Sequence, residues 1–287
     1  MKSRLSFPLM LMVLLMTALE TTGCSGFSQF VLGAPRRDRH NSSVVEFLYP
    51  NRREPIEKAA IPQLTLPLRV GVAFVPESDP DAGAITEEEK FRLMQEVSGK
   101  FATLPFIESI QLIPSAYLYP QGGFSNLDQV RTMYGIDVIA LLAYDQSQVT
   151  DENFGAVTYW TLIGAYVIPG EKNTTHTMMD ATVYDIASRT MLFRAPGTSR
   201  INTKATPIAL SGQQRKDREQ GFVSAGRDLL VNLQTQLDLF REKVKARPET
   251  VVVSHRPGYV GGGAVDTGGL LIFMTLGGLA LCARKHS

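Results

Sequence analysis

Chemistry on a polypeptide needs a nucleophile, an acid–base pair or a metal-binding set, and this sequence offers few of them. Its four histidines, His40, His176, His255 and His286, are scattered. No two have His-x-x-x-His spacing and no cysteine stands beside one, so no metal site is expected. No Gly-x-Ser-x-Gly elbow is present. Ser98-Gly99 and Ser211-Gly212 read as helix and loop residues. Gly261, Gly262 and Gly263 lack the Lys-Ser/Thr that completes a phosphate loop. Four aspartates remain. Asp137 and Asp145 flank one apolar strand, and Asp180 and Asp185 lie on a later one. Meeting at one sheet end, they would form an acid pair able to exchange protons with a substrate. The plainer reading makes them solvated strand-end and hairpin-turn carboxylates. The expectation is therefore no catalytic residue, no metal and no cofactor. A hydrolase or ligand-sensing site built from Asp137, Asp145 and Asp185 is the alternative.

The two ends of the chain carry a different kind of chemistry. Lys2 and Arg4 precede an apolar run of eleven residues, 9–19, the dimensions of a signal peptide rather than a membrane span. It ends in Thr21-Thr22-Gly23-Cys24. At the other end, residues 268–283 are sixteen residues without a charge, short of the roughly 20 that span a bilayer comfortably. Gly268, Gly269, Gly277 and Gly278 weaken that helix further, by about 1 kcal/mol each relative to Ala. Arg284 and Lys285 then hold its end on the cytoplasmic side. A loosely wound helix of this kind suits an intramembrane protease, which needs extended backbone. A simple tail anchor is the alternative.

Small residues before Cys24 resemble the lipobox of bacterial lipoproteins, with Thr21 where leucine is usual. That resemblance implies a diacylglyceryl group on the Cys24 thiol, cleavage before it by the lipoprotein-processing enzymes, and, with Ser25 following, delivery to the outer membrane or cell surface. The glycine cluster, apolar helix and basic end resemble the GlyGly C-terminal sorting signal cut by rhombosortases, which are rhomboid-family proteases. Gly261, Gly262 and Gly263 are the preferred processing site and Gly268-Gly269 the alternative, with Asp266 between them. The helix would then touch the membrane only transiently.

Removing leader and tail leaves about 240 residues, enough for one good-sized core. The 29 basic and 28 acidic residues become 25 and 26 without Lys2, Arg4, Arg284 and Lys285 and without Glu20 and Asp266. Such a balance gives no electrostatic footprint for nucleic acid. Cys24 and Cys282 are the only cysteines, so the body between them has no thiol and must be held by packing.

The pattern predicts residues 24–65 as a tether and arm, with an apolar patch at 42–49. Residues 66–246 form one domain, 247–263 an exposed stalk and 264–287 the tail. Within the domain, 66–75 reads as a buried strand. A helix follows, capped at Thr86 with Glu87, Glu88 and Glu89 in its first turn. A second strand over 106–113 precedes a short helix capped by Ser125 or Asn126 and stopped by Gly135. The run 136–144 is a central strand. Then come β-prone stretches at 156–168, 174–186 and 191–199, a polar link at 202–217 and a helix over 216–245. In that helix Phe222, Ala225, Leu229, Leu230, Leu233, Leu237 and Phe240 share a face, while 213–220 is a solvated start. The fold class is α/β, an α+β sandwich: a mixed sheet packed against helices in the order β-α-β-α-β-β-β-β-α.

Two passages, 134–140 and 181–190, resemble the N-terminal α/β domains of the periplasmic Tol protein and the curli-secretion lipoprotein. The likeness is of fold only. The lipobox, Ser42-Ser43-Val44-Val45-Glu46-Phe47-Leu48-Tyr49-Pro50, the strand Leu68-Arg69-Val70-Gly71-Val72-Ala73-Phe74-Val75-Pro76 and the GlyGly tail together resemble the rhombotarget lipoproteins. That resemblance implies a cell-envelope lipoprotein whose partners are the membrane and a rhombosortase-type protease. It leaves the role of the body open, and a non-enzymatic binding or assembly module is the expectation.

Overall fold

The computed structural model describes residues 36–50, 60–77, 85–152, 171–206 and 208–259. The expected strand at 156–168, the leader with Cys24 and both glycine clusters of the tail lie outside these residues. No helix among the described residues is long and apolar enough to cross a membrane.

The first half is a pair of crossovers. Strand β3 (Leu68–Phe74) leads through α2 (Glu87–Phe101) to β4 (Ile107–Ile113), which pairs parallel with it on one side. From β4 the chain passes through α3 (Gly123–Tyr134) to β5 (Val138–Glu152), which pairs parallel with β3 on the other side. The two crossovers step in opposite directions across the sheet. Right-handed connections then place their helices on opposite faces. That is what is seen: Leu93, Met94, Val97 and Phe101 of α2 pack in one core, and Phe124, Leu127 and Val130 of α3 in the other.

Local chemistry sets the ends of these helices. The Thr86 hydroxyl accepts the Glu89 amide hydrogen, and the Glu89 carboxylate accepts the Thr86 amide hydrogen, a reciprocal capping box. Gly135 ends α3 with φ of 63°, a conformation free of strain only without a side chain. The start of α3 differs from expectation, for its N-cap is Gly122. Asn126 lies within the helix and reaches back, accepting from the Tyr119 amide and donating to the Tyr117 carbonyl.

The second half is a meander of unusually long strands. β5, β6 (Glu171–Asp185) and β7 (Thr190–Ala205) run 15, 15 and 16 residues in antiparallel register, against a usual range of about 3–10. Both β5 and β7 outrun their sequence signals. The strand order is β4-β3-β5-β6-β7. β3 covers the edge of β5 only as far as Leu142. The arm then takes over: β1 (Arg36–Asn41) pairs antiparallel with residues 145–150 of β5. Ser42 spans the junction, exchanging backbone and hydroxyl bonds with Tyr144. The apolar patch that follows is the short helix α1 (Val44–Leu48), whose Val44, Phe47 and Leu48 are buried beside α3.

Within the span expected as an exposed stalk, residues 252–255 form a strand. β8 (Val252–His255) pairs parallel with β2 (Gln63–Leu66), across 189 residues of sequence. Most of the polar link expected at 202–217 is strand or helix, for β7 runs to Ala205 and α4 (Leu210–Ala246) begins soon after it. This helix is 37 residues, about 55 Å at 1.5 Å per residue. It lies against β7 and β6. Asp217, Gly221, Ala225, Leu229 and Leu233, each four residues apart, are all buried.

Gly197 of β7 lets that helix close on the sheet. A Cβ there would stand 2.3 Å from the Ala225 carbonyl oxygen and 2.7 Å from the Leu229 backbone nitrogen. Gly197→Ala is expected to destabilise the fold by about 1–3 kcal/mol, since neither backbone atom can turn aside. Gly99, exposed in α2 with nothing within 4 Å of its Cβ position, should respond oppositely, Gly99→Ala stabilising by up to about 1 kcal/mol. Urea unfolding of the two variants beside the parent checks both signs.

Candidate functional site

The aspartates do not converge. Asp137 and Asp145 lie eight positions apart on one extended segment, about 26 Å at 3.3 Å per residue. Each has its own cation. Arg39 donates two bonds to Asp145, at 3.3 and 2.8 Å. Arg194 pairs with Asp180. Asp185 lies opposite Val138 at the same sheet end as Asp137, yet its carboxylate turns into the β6–β7 hairpin and accepts from the Ser188 amide at 3.1 Å. Asp137 takes Arg69 Nε at 3.0 Å, Arg69 Nη2 at 2.7 Å and Arg256 Nη2 at 2.7 Å. Partial burial pushes its pKa up, but the hydrogen bonds from Arg69 and the charges of Arg69 and Arg256 outweigh that, holding it below the usual carboxylate range. An acid pair shared by Asp137, Asp145 and Asp185 is thus not formed.

The two histidines with described side chains do not meet either. His176 is exposed on β6, and His255 stacks on Tyr259 with centroids 5.8 Å apart. Among the described residues no three His, Cys, Asp or Glu side chains gather as a metal would require.

A buried polar layer lies under the first half of α4, where a solvated helix start was expected. The inward residues of β5 change from Val138, Ala140, Leu142 and Tyr144 to Gln146, Gln148 and Thr150, and those of β6 change in step to Thr177, Thr175 and Asn173. Gln146 and Gln148 each donate to a threonine hydroxyl on β6 and to a helix carbonyl, of Arg218 and Gln214 respectively. Asp217, fully buried, accepts from Asn173, Thr203 and Gln213. Gly221 makes room, for a Cβ there would lie 2.5 Å from the Thr177 hydroxyl. A carboxylate so surrounded by donors is a fastening between helix and sheet.

Under the second half of α4 the layer is apolar and, among the described residues, does not close. A cavity of about 330 Å³ lies there, within the size range of small-molecule sites. Its floor is the sheet, through Val70, Val72, Val138, Ala140 and Val183. Val97 and Phe101 of α2 form one wall; Leu233, Leu237, Phe240 and Val244 of α4 form the roof, with Leu192 and Phe193 of β7 beneath them. The remaining side is Leu64 and Leu66 of β2 with Val253 and His255 of β8. The most exposed lining residues, Pro105, Arg241, Lys245, Val253 and His255, mark the mouth. Tyr259 braces this rim by donating its hydroxyl to the Pro105 carbonyl at 3.0 Å.

Sequence periodicity marks these apolar residues as core. Nothing in it separates core that packs from core that leaves room. The missed signal is in Arg241 and Lys245, which continue the spacing of four from Leu229, Leu233 and Leu237. Their charges interrupt an otherwise inward row.

For Asp137 the sign of the pH effect follows from the depressed pKa. Its stabilisation is present above the unfolded carboxylate value, about 3.9, and is lost as pH falls through the folded value. Asp137→Asn should therefore lower stability by about 2 kcal/mol at pH 7. The gap to the parent should narrow below about pH 4. Thermal melts of both proteins across that range measure it. No protein-family model matches this chain, and no curated protein matches it.

Proposed function

We propose that this chain is a cell-envelope lipoprotein whose body is a non-enzymatic binding module, holding an apolar small molecule between α4 and the sheet. Cys24 is the lipid attachment point, and the tail beyond the glycine clusters is the rhombosortase-type signal. The observation that carries the binding reading is the cavity of about 330 Å³ with its almost wholly hydrocarbon lining. Interiors normally pack to the density of organic crystals, and space kept open beside long aliphatic side chains favours a hydrocarbon guest. The dispersal of the aspartates to separate arginines and a turn gives a hydrolytic alternative no constellation.

The full chain in membranes of the producing cell can be photolabelled with a neutral alkyl diazirine. Label is expected in peptides carrying Leu192 and Phe240. Leu237→Trp, which fills the roof, should cut it about tenfold, the factor that about 1.4 kcal/mol represents. Label absent from those peptides, with native circular dichroism retained, contradicts the reading. Cys24→Ala should release the protein from the membrane fraction once the tail is removed, and the mass of the mature chain should show both modifications. A mature chain ending in Ser287 with no acyl mass rules out the processing part.

A further inference from the structure

The cavity lining contains no carboxylate among the described residues, and its two formal charges, Arg241 and Lys245, are both cations at the mouth. They stand one helical turn apart, at i and i+4. Around them Lys243 and Arg247 add positive charge against the acids Asp238 and Glu242, so residues 238–247 carry a net charge of +2. This offsets the negative end of the α4 dipole, which would otherwise repel an anion.

Neither cation is committed. Lys245 meets Glu242 in an i,i+3 pair in which both side chains are about two-thirds exposed. Arg241 reaches Asp238 only at 3.5 Å. Exposed pairs of this kind contribute at most about 1 kcal/mol and yield readily to a better anion. Arg241 is also positioned, for its guanidinium lies 5.3 Å from the centroid of Phe106, a ring that itself lines the cavity. That contact holds the planar donor fork over the opening.

A hydrocarbon chamber with two cations at its mouth fits a particular molecular shape. We infer that the ligand is a long-chain carboxylate, one unbranched acyl chain in the cavity with its head group held by Arg241 and Lys245. The cavity lies near the lower end of the range for ligand sites, about 300–1,000 Å³, which suits one chain better than two. A carboxylate matches the guanidinium fork in two parallel hydrogen bonds. This inference rests on the binding reading above.

The test uses the full chain in membranes with three photoprobes of equal chain length, ending in a carboxylate, an alcohol and a phosphate. Label in the Leu192 and Phe240 peptides is normalised to the label each probe leaves in the surrounding lipid. The carboxylate is expected to exceed the alcohol about tenfold, a difference of about 1.4 kcal/mol. Arg241→Gln with Lys245→Gln should erase that preference by lowering carboxylate label alone, since both side chains are exposed and the alcohol still meets an intact chamber. Equal label by acid and alcohol in the parent overturns this inference and leaves the binding reading standing. Stronger label by the phosphate overturns the assignment of a carboxylate. No cavity label from any probe overturns both readings together.

Discussion

The contact on which the rest of the structure depends is the close seating of α4 on β7 at Gly197. The backbone of the strand comes so near the backbone of the helix, at Ala225 and Leu229, that no side chain fits between. With the helix held there, what lies on either side is decided by the row of residues four apart. A spacing of four overshoots the helical period of 3.6 by about 40° per step, so the row winds slowly around α4. It passes from Asp217 and Gly221 over the polar layer, through Ala225 and Leu229 at the contact, to Leu233 and Leu237 over the cavity. At Arg241 and Lys245 it has turned out to solvent at the mouth. One helix thus carries a fastening, a fulcrum and a roof in sequence.

The polar layer explains why the roof does not sink. An apolar helix over an apolar sheet would slide or tilt to fill a void, because lost packing contacts cost stability. Here such a shift would pull Asn173, Thr203 and Gln213 from Asp217, and Gln146 and Gln148 from the carbonyls of α4. Breaking buried bonds to a carboxylate leaves an unpaired charge away from water, the more costly outcome. Directional bonds at one end therefore hold open a space at the other that non-directional contacts alone would not defend.

The same features divide what could be read in the sequence from what could not. α2, β3, β4 and the first half of β5 announce themselves through Thr86, a run of β-branched residues or helical spacing, each a local signal. The second half of β5 does not, because Gln146, Gln148 and Thr150 are buried against polar partners, and a period-two pattern shows only where apolar and polar residues alternate. Residues 213–220 were expected to be solvated for the same reason, since Asp217 carries no mark of burial in its neighbours along the chain. β1, β2 and β8 owe their existence to partners 104 to 189 residues away. A strand of four residues has no period of its own. The cavity was the least legible feature, for it consists of ordinary core residues whose distinguishing property is a distance.

Asp137 shows how an acid candidate can belong to a site without doing chemistry there. Its depressed pKa and its place at a strand end are the marks often used to select catalytic carboxylates. Its partners give another account. Arg256 follows β8 directly and reaches across to both Asp137 and Glu108, while its amide donates to the Leu66 carbonyl of β2. The ribbon of β2 and β8, two strands of four residues, is too small to be stable by itself. It forms one side of the cavity because Val251 is buried at one end and Arg256 is tied to the main sheet at the other. Arg69, the second residue of β3, neutralises the remaining oxygen. The charge on Asp137 therefore acts to hold that ribbon in place against the main sheet.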